Sequence, residues 1–75
     1  MKELLEYMLK NILEKDFTVN EEDENGFIVY KVTATQDEIG KIIGKGGKTI
    51  NALKNILKIR AIKEDKKIDI QVVEA

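Results

Sequence analysis

Leu4, Leu5, Met8, Leu9, Ile12 and Leu13 recur at helical spacing, while Lys2, Glu3, Glu6, Lys10 and Asn11 fall on the opposite side. That stripe predicts an amphipathic helix over about residues 2 to 15, with one face buried and the other solvated. Beyond Asp16 the period changes. Phe17-Thr18-Val19-Asn20 alternates, and Phe27 to Thr33 is β-branched and aromatic. Between them Asn25-Gly26 is the residue pair that a two-residue hairpin turn requires, because both of its central positions take positive φ. With that turn, Glu24 faces Phe27, Glu21 faces Tyr30, Val19 faces Val32 and Phe17 faces Ala34. The register is self-consistent, since Phe17, Val19, Ile28, Tyr30, Val32 and Ala34 then share one face.

Thr35 followed by Glu38 has the spacing of a capping box and predicts a short helix over about Gln36 to Ile43. Gly44 ends it. A longer helical pattern runs from about Lys48 to Lys63, with Ile50, Leu53, Leu57 and Ala61 on one side and Lys48, Asn51, Lys54, Asn55 and Lys58 on another. Ile68, Ile70 and Val72 then alternate with Asp69, Gln71 and Val73 as a last strand. The order αββααβ, without proline, linker or internal repeat, predicts a single α+β domain over residues 1–75. The two helices between the second and third strands are long enough for a right-handed crossover. A three-stranded mixed sheet follows, antiparallel within the hairpin and parallel at the return, with the helices packed on one face.

Composition narrows the chemistry. The 75 residues contain neither Cys nor His, which removes disulfides, thiol and imidazole catalysis and the common zinc sites. No catalytic residue, metal site or cofactor is therefore expected. The acidic run Glu21, Glu22, Asp23 and Glu24 sits at a hairpin tip, where carboxylates are solvated. No long apolar run marks a membrane span or signal peptide, so the expectation is a soluble, cytoplasmic protein that is not an enzyme. The net charge of -1 hides a segregation: residues 1–38 hold 4 Lys against 10 acids, and residues 39–75 hold 9 basic residues against 4 acids. Lys41, Lys45, Lys48, Lys54, Lys58, Arg60 and Lys63 are uninterrupted by any acid, a segment that attracts polyanions whatever the overall charge.

The most specific feature is Ile42-Ile43-Gly44-Lys45-Gly46-Gly47-Lys48-Thr49-Ile50, three glycines in four residues between two helices. Glycine permits positive φ and close backbone approach, and the next helix opens with unpaired N–H groups that suit phosphate. A plain helix-helix turn would need only one glycine. Spacing excludes the two commonest phosphate loops. A P-loop needs glycine where Ile42 stands, and a dinucleotide fingerprint needs its third glycine at Thr49 and a strand, not a helix, leading in.

Ile43-Gly44-Lys45-Gly46-Gly47-Lys48-Thr49-Ile50 resembles the Ile-Gly-x-x-Gly-x-x-Ile hallmark of the KH domain, and the αββααβ order resembles its type II variant over nearly the whole chain. A free-standing domain of this length is similar to the small bacterial KhpA-like (YlqC-like) proteins; an archaeal or ribosome-associated stand-alone KH protein shares the same motif. The resemblance implies a clamp on about four nucleotides of single-stranded RNA, with RNA-chaperone or post-transcriptional regulatory work. Gly44, Lys45, Gly46 and Gly47 would hold the sugar-phosphate chain, with Lys41, Lys48 and Lys54 adding charge. Ile39, Ile42, Ile43, Ile50 and Leu53 are candidates for an aliphatic base groove and for the core beneath it, and the sequence does not divide them. No aromatic residue lies between Ile39 and Lys63, so ring stacking is not expected there, and Tyr7, Phe17, Phe27 and Tyr30 are expected in core or sheet. The long helix carries more apolar surface than one sheet needs. The first helix is expected to cover Ile56, at most Ile59 with it, and not Ile62. That leaves Ile59 and Ile62 as candidates for a homodimer surface, or for pairing with another KH-domain protein as the resemblance implies. The alternative is an interaction subunit with little RNA binding of its own.

Overall fold

The computed structural model describes residues 2–75; Met1, at the start of the expected domain, lies outside the described residues. Its elements are α1 (Lys2–Ile12), β1 (Thr18–Glu24), β2 (Phe27–Ala34), α2 (Gln36–Ile43), α3 (Lys48–Lys63) and β3 (Lys67–Glu74), with a single 3₁₀ turn at Lys45–Gly47. The sheet order is β1-β2-β3. β1 and β2 are antiparallel, with Val19 opposite Val32, Glu21 opposite Tyr30 and Glu24 opposite Phe27, as the Asn25-Gly26 turn predicts. Both turn residues take positive φ, 54° at Asn25 and 84° at Gly26. β3 returns parallel to β2, setting Ile68 beside Ile28 and Ile70 beside Tyr30.

Val19, Ile28, Tyr30, Val32, Ala34, Ile68 and Ile70 form the buried sheet face, against Leu5 and Leu9 of α1, Leu13 just beyond it, Ile42 of α2, and Leu53, Leu57 and Ala61 of α3. The alternation is clean on β2, whose even-numbered residues are buried. Tyr30 is fully buried, and its hydroxyl donates to Glu21 Oε1 at 3.2 Å. Burial, then the Glu21 carboxylate, push its ionisation far above the usual phenol range.

Three local expectations need correction. α1 stops at Ile12, not near residue 15, because the Glu14 N–H is taken by the Glu38 carboxylate at 3.4 Å instead of continuing the helix. The capping box is therefore not made. Thr35 occupies the N-cap of α2 in extended conformation, but no side-chain cap bond forms and its buried Oγ1 has no partner. The start of α2 was legible from a motif whose hydrogen bonds the tertiary structure redirected. Finally, Tyr7 is 67% exposed on α1 and belongs to neither core nor sheet, whereas Phe27 lies in the sheet as the first residue of β2, though 45% exposed, and Phe17 is half-buried against the core.

Candidate nucleic-acid interface

α2 ends at Gly44, whose φ of 73° and ψ of 177° lie in a region open essentially to glycine alone. Its N–H donates to Gly40 O at 3.0 Å. The backbone here presses against the next helix. A Cβ at Gly44 would collide with Thr49 Oγ1 and lie 2.8 Å from Thr49 Cβ and 3.0 Å from its backbone N. Gly46 and Gly47 both adopt left-handed conformations, φ 65° and 78°, and the Gly47 N–H closes the turn onto Gly44 O at 3.2 Å. The three glycines thus have different roles: Gly44 permits contact, while Gly46 and Gly47 reverse the chain.

This turn delivers α3 with no acidic residue in its first turn and no side-chain cap. Its leading N–H groups leave the positive end of the helix dipole uncompensated. Lys45, Gly46 and Lys48 are exposed around it, and Lys45 and Lys48 pair with no carboxylate among the described residues. The result is a solvent-facing, anion-receptive loop built from backbone and two unpaired lysines.

The remaining candidates divide. Ile42 is fully buried and Leu53 nearly so; both are core, and Ile42 offers a ligand no atoms, contrary to its place among the expected binding residues. Ile43 is 41% exposed beside the loop, and Ile39 and Ile50 are half-buried, so these three form what aliphatic surface the site has. Lys41 is held by Glu38 at 3.6 Å and by Glu14 at 3.7 Å, and Lys54 by Asp69 of β3 at 3.3 Å. Those two lysines brace helices to their neighbours and are less available to phosphate than Lys45 and Lys48.

Ile56, Ile59 and Ile62 are 43%, 61% and 75% exposed, so α1 does not cover Ile56 as the pattern suggests. At the far end of α3, Phe27, Ala61, Ile62 and Ile68, together with Lys58, Lys66 and Lys67, line a depression of about 280 Å³. Sequence reasoning found no aromatic near the basic helix. The parallel return of β3 was expected from the crossover, but not its register, which sets Phe27 beside Lys67 at this end of α3.

An αββααβ chain with a mixed sheet, helices on one face, and a Gly-x-x-Gly turn joining two helices is a type II KH domain. Residues 2–72 match the family model described as "KhpA/KhpB, KH domain". The chain is 41% identical to the RNA-binding protein KhpA of Thermotoga maritima, over 97% of this chain and 99% of that protein. It is 37% identical to the RNA-binding protein KhpA of Chlamydia trachomatis, over 99% of this chain and 97% of that protein. It is 35% identical to the KhpA of Clostridium perfringens, over 97% of this chain and all of that protein. The chain belongs to the KhpA/KhpB KH-domain family.

Proposed function

We propose that this protein binds single-stranded RNA, clamping about four nucleotides with the Gly44–Gly47 loop and the start of α3, and acts as an RNA chaperone or post-transcriptional regulator. The observation that carries the reading is the loop itself: positive-φ glycines opening an uncapped helix between two unpaired lysines. Ile43, Ile39 and Ile50 supply the aliphatic surface for bases, and Lys41 and Lys54 hold α2 and α3 in place beside it. Family membership and relatives named as RNA-binding proteins support the same reading.

The test is a double substitution, Lys45→Asp with Gly46→Asp. Position 46 has open space around it, and aspartate tolerates the left-handed region better than most residues. The variant should fold and lose RNA binding, because two carboxylates then face phosphate. A folded variant with unchanged affinity removes the loop from the mechanism.

A second reading has its own observation. Ala52, Asn55, Ile59 and Ile62 recur at alternating four- and three-residue spacing on the outward side of α3, flanked by exposed Ile56. That is the seam of a helix pair, and it suits a second copy of this chain or another KH-domain protein. Pairing would join two weak clamps and raise affinity for long RNA through effective concentration alone. The seam also serves a protein that works mainly as an interaction subunit. Sedimentation with and without RNA separates the cases.

A further inference from the structure

The apolar depression under Phe27 lies at the opposite end of α3 from the glycine loop, about 21 Å along the helix from Lys48 to Ile62 at 1.5 Å per residue. The two places are connected. Gly47, Asn51, Lys54, Lys58 and Ile62 follow one another at three- and four-residue intervals, so they form one line along the helix, on the side that meets the β3 edge through Lys54 and Asp69.

From this continuity we infer that the depression is a second RNA subsite, in which a base downstream or upstream of the clamped nucleotides packs on the Phe27 ring while Lys58 and Lys67 meet its phosphates. Phe27 is the aromatic that the basic helix itself lacks, and it is 45% exposed. Stacking on such a ring is tolerant of sequence, because every base offers a π-face. Four of the lining residues are apolar, and the other three are cationic. Lys66 is drawn to Asp23 at 3.4 Å, whereas Lys58 and Lys67 pair with no carboxylate among the described residues. The ligand chemistry that matches is an aromatic ring joined to anions, which is a nucleotide.

A second copy of the chain is the competing occupant. A two-fold contact centred on the depression would set Lys58, Lys66 and Lys67 against the same three residues of the other copy, and like charges across an interface are costly. The self-contact therefore belongs to the Ala52-Asn55-Ile59 seam, with Ile62 as the ridge between it and the depression.

This inference rests on the clamp reading, and the experiment separates the two. Four-nucleotide and ten-nucleotide oligouridine are titrated into the full chain and into Phe27→Ser, Lys58→Ala and the Lys45→Asp, Gly46→Asp double variant, each checked by sedimentation. Phe27→Ser should weaken ten-nucleotide binding about tenfold, the loss of one stacked base, and leave four-nucleotide binding within about twofold. Lys58→Ala, on an exposed helix face, should do the same to a smaller degree, and it carries the test should Phe27→Ser fail to fold. Equal affinities of both variants and the unchanged protein for ten nucleotides would overturn the subsite while the double variant still upholds the clamp. Equal losses at both lengths would overturn it as a structural effect, and a shift to monomer in either variant would assign the depression to self-contact instead. Binding by the double variant as tight as by the unchanged chain, at both lengths, overturns the clamp and with it this extension.

Discussion

Alanine at three glycines within seven residues should have three different outcomes, because the backbone asks something different of each. Gly40 lies inside α2 with nothing within 4 Å of the position its Cβ would take. Gly40→Ala lowers the entropy of the unfolded chain and should stabilise by about 0.5–1 kcal/mol. Gly46 also has open space, but its φ of 65° and ψ of 21° are left-handed, so alanine there should cost about 1–2 kcal/mol. Gly44 combines a glycine-only conformation, worth about 1–3 kcal/mol of strain, with collision against Thr49, for which a tightly packed site adds about 1–3 kcal/mol. The sum, about 2–6 kcal/mol, rivals the whole stability of a domain this small, near 5 kcal/mol at the low end of the usual range. Urea unfolding followed by circular dichroism reads the series directly. At about 1 kcal/mol per molar of urea, Gly46→Ala should lower the midpoint by about 1–2 M and Gly40→Ala raise it by up to about 1 M. Gly44→Ala should lower it by about 2–6 M, and at the upper end of that range the chain is unfolded in buffer. A Gly44→Ala midpoint equal to that of Gly46→Ala would refute the claim that Gly44 is required for the approach of α2 to α3.

Three further outcomes follow from the same geometry. If about four phosphates are neutralised, log affinity for RNA against log salt should have a slope near -3, and a slope near zero, measured by fluorescence anisotropy, would show the lysines to be merely solvated. Ile59→Glu and Ile62→Glu should each keep the fold, shift sedimentation toward monomer and weaken binding to long RNA more than to four nucleotides; an unchanged protein that is monomeric at high micromolar concentration would exclude the homodimer. Stability should fall as pH rises above about 10, because the unfolded tyrosine then loses a proton that buried Tyr30 retains, at up to about 1.4 kcal/mol per pH unit. Subtracting the melting curve of Tyr30→Phe should isolate that loss, and identical alkaline profiles would show that Tyr30 is not held protonated.

The parts of the fold read correctly from sequence are those that local chemistry dictates. Asn25-Gly26 set the turn, the turn set the register, and the period-two pattern then chose Val19, Tyr30 and Val32 as the inner face. The end of α2 and the start of α3 follow from Gly44 and Gly47, whose positive φ glycine adopts without strain. What escaped depends on partners distant in the chain. Glu38 was legible as a capping residue, but in the fold it reaches the Glu14 N–H and Lys41, which shortens α1 and leaves Thr35 Oγ1 unpartnered. The same limit applies to the site. The resemblance grouped Ile42 with Ile43 as groove candidates, and only packing showed one to be buried and the other exposed. Lys54 read as a free charge because Asp69 is far away in sequence, and Lys41 because its near partner Glu38 reads as a capping residue. Phe27 was legible as a strand residue, but not that its ring stays half-exposed beside the end of α3.

The most direct test of the central claim is a nuclear magnetic resonance titration of the labelled protein with a four-nucleotide single-stranded RNA. The amide signals of Ile43 to Ile50 should move first and furthest, in the loop and the opening turn of α3, while β1 and the Asn25-Gly26 turn stay still. Loop signals that remain fixed while another surface responds, or no response anywhere at high micromolar RNA, would contradict it.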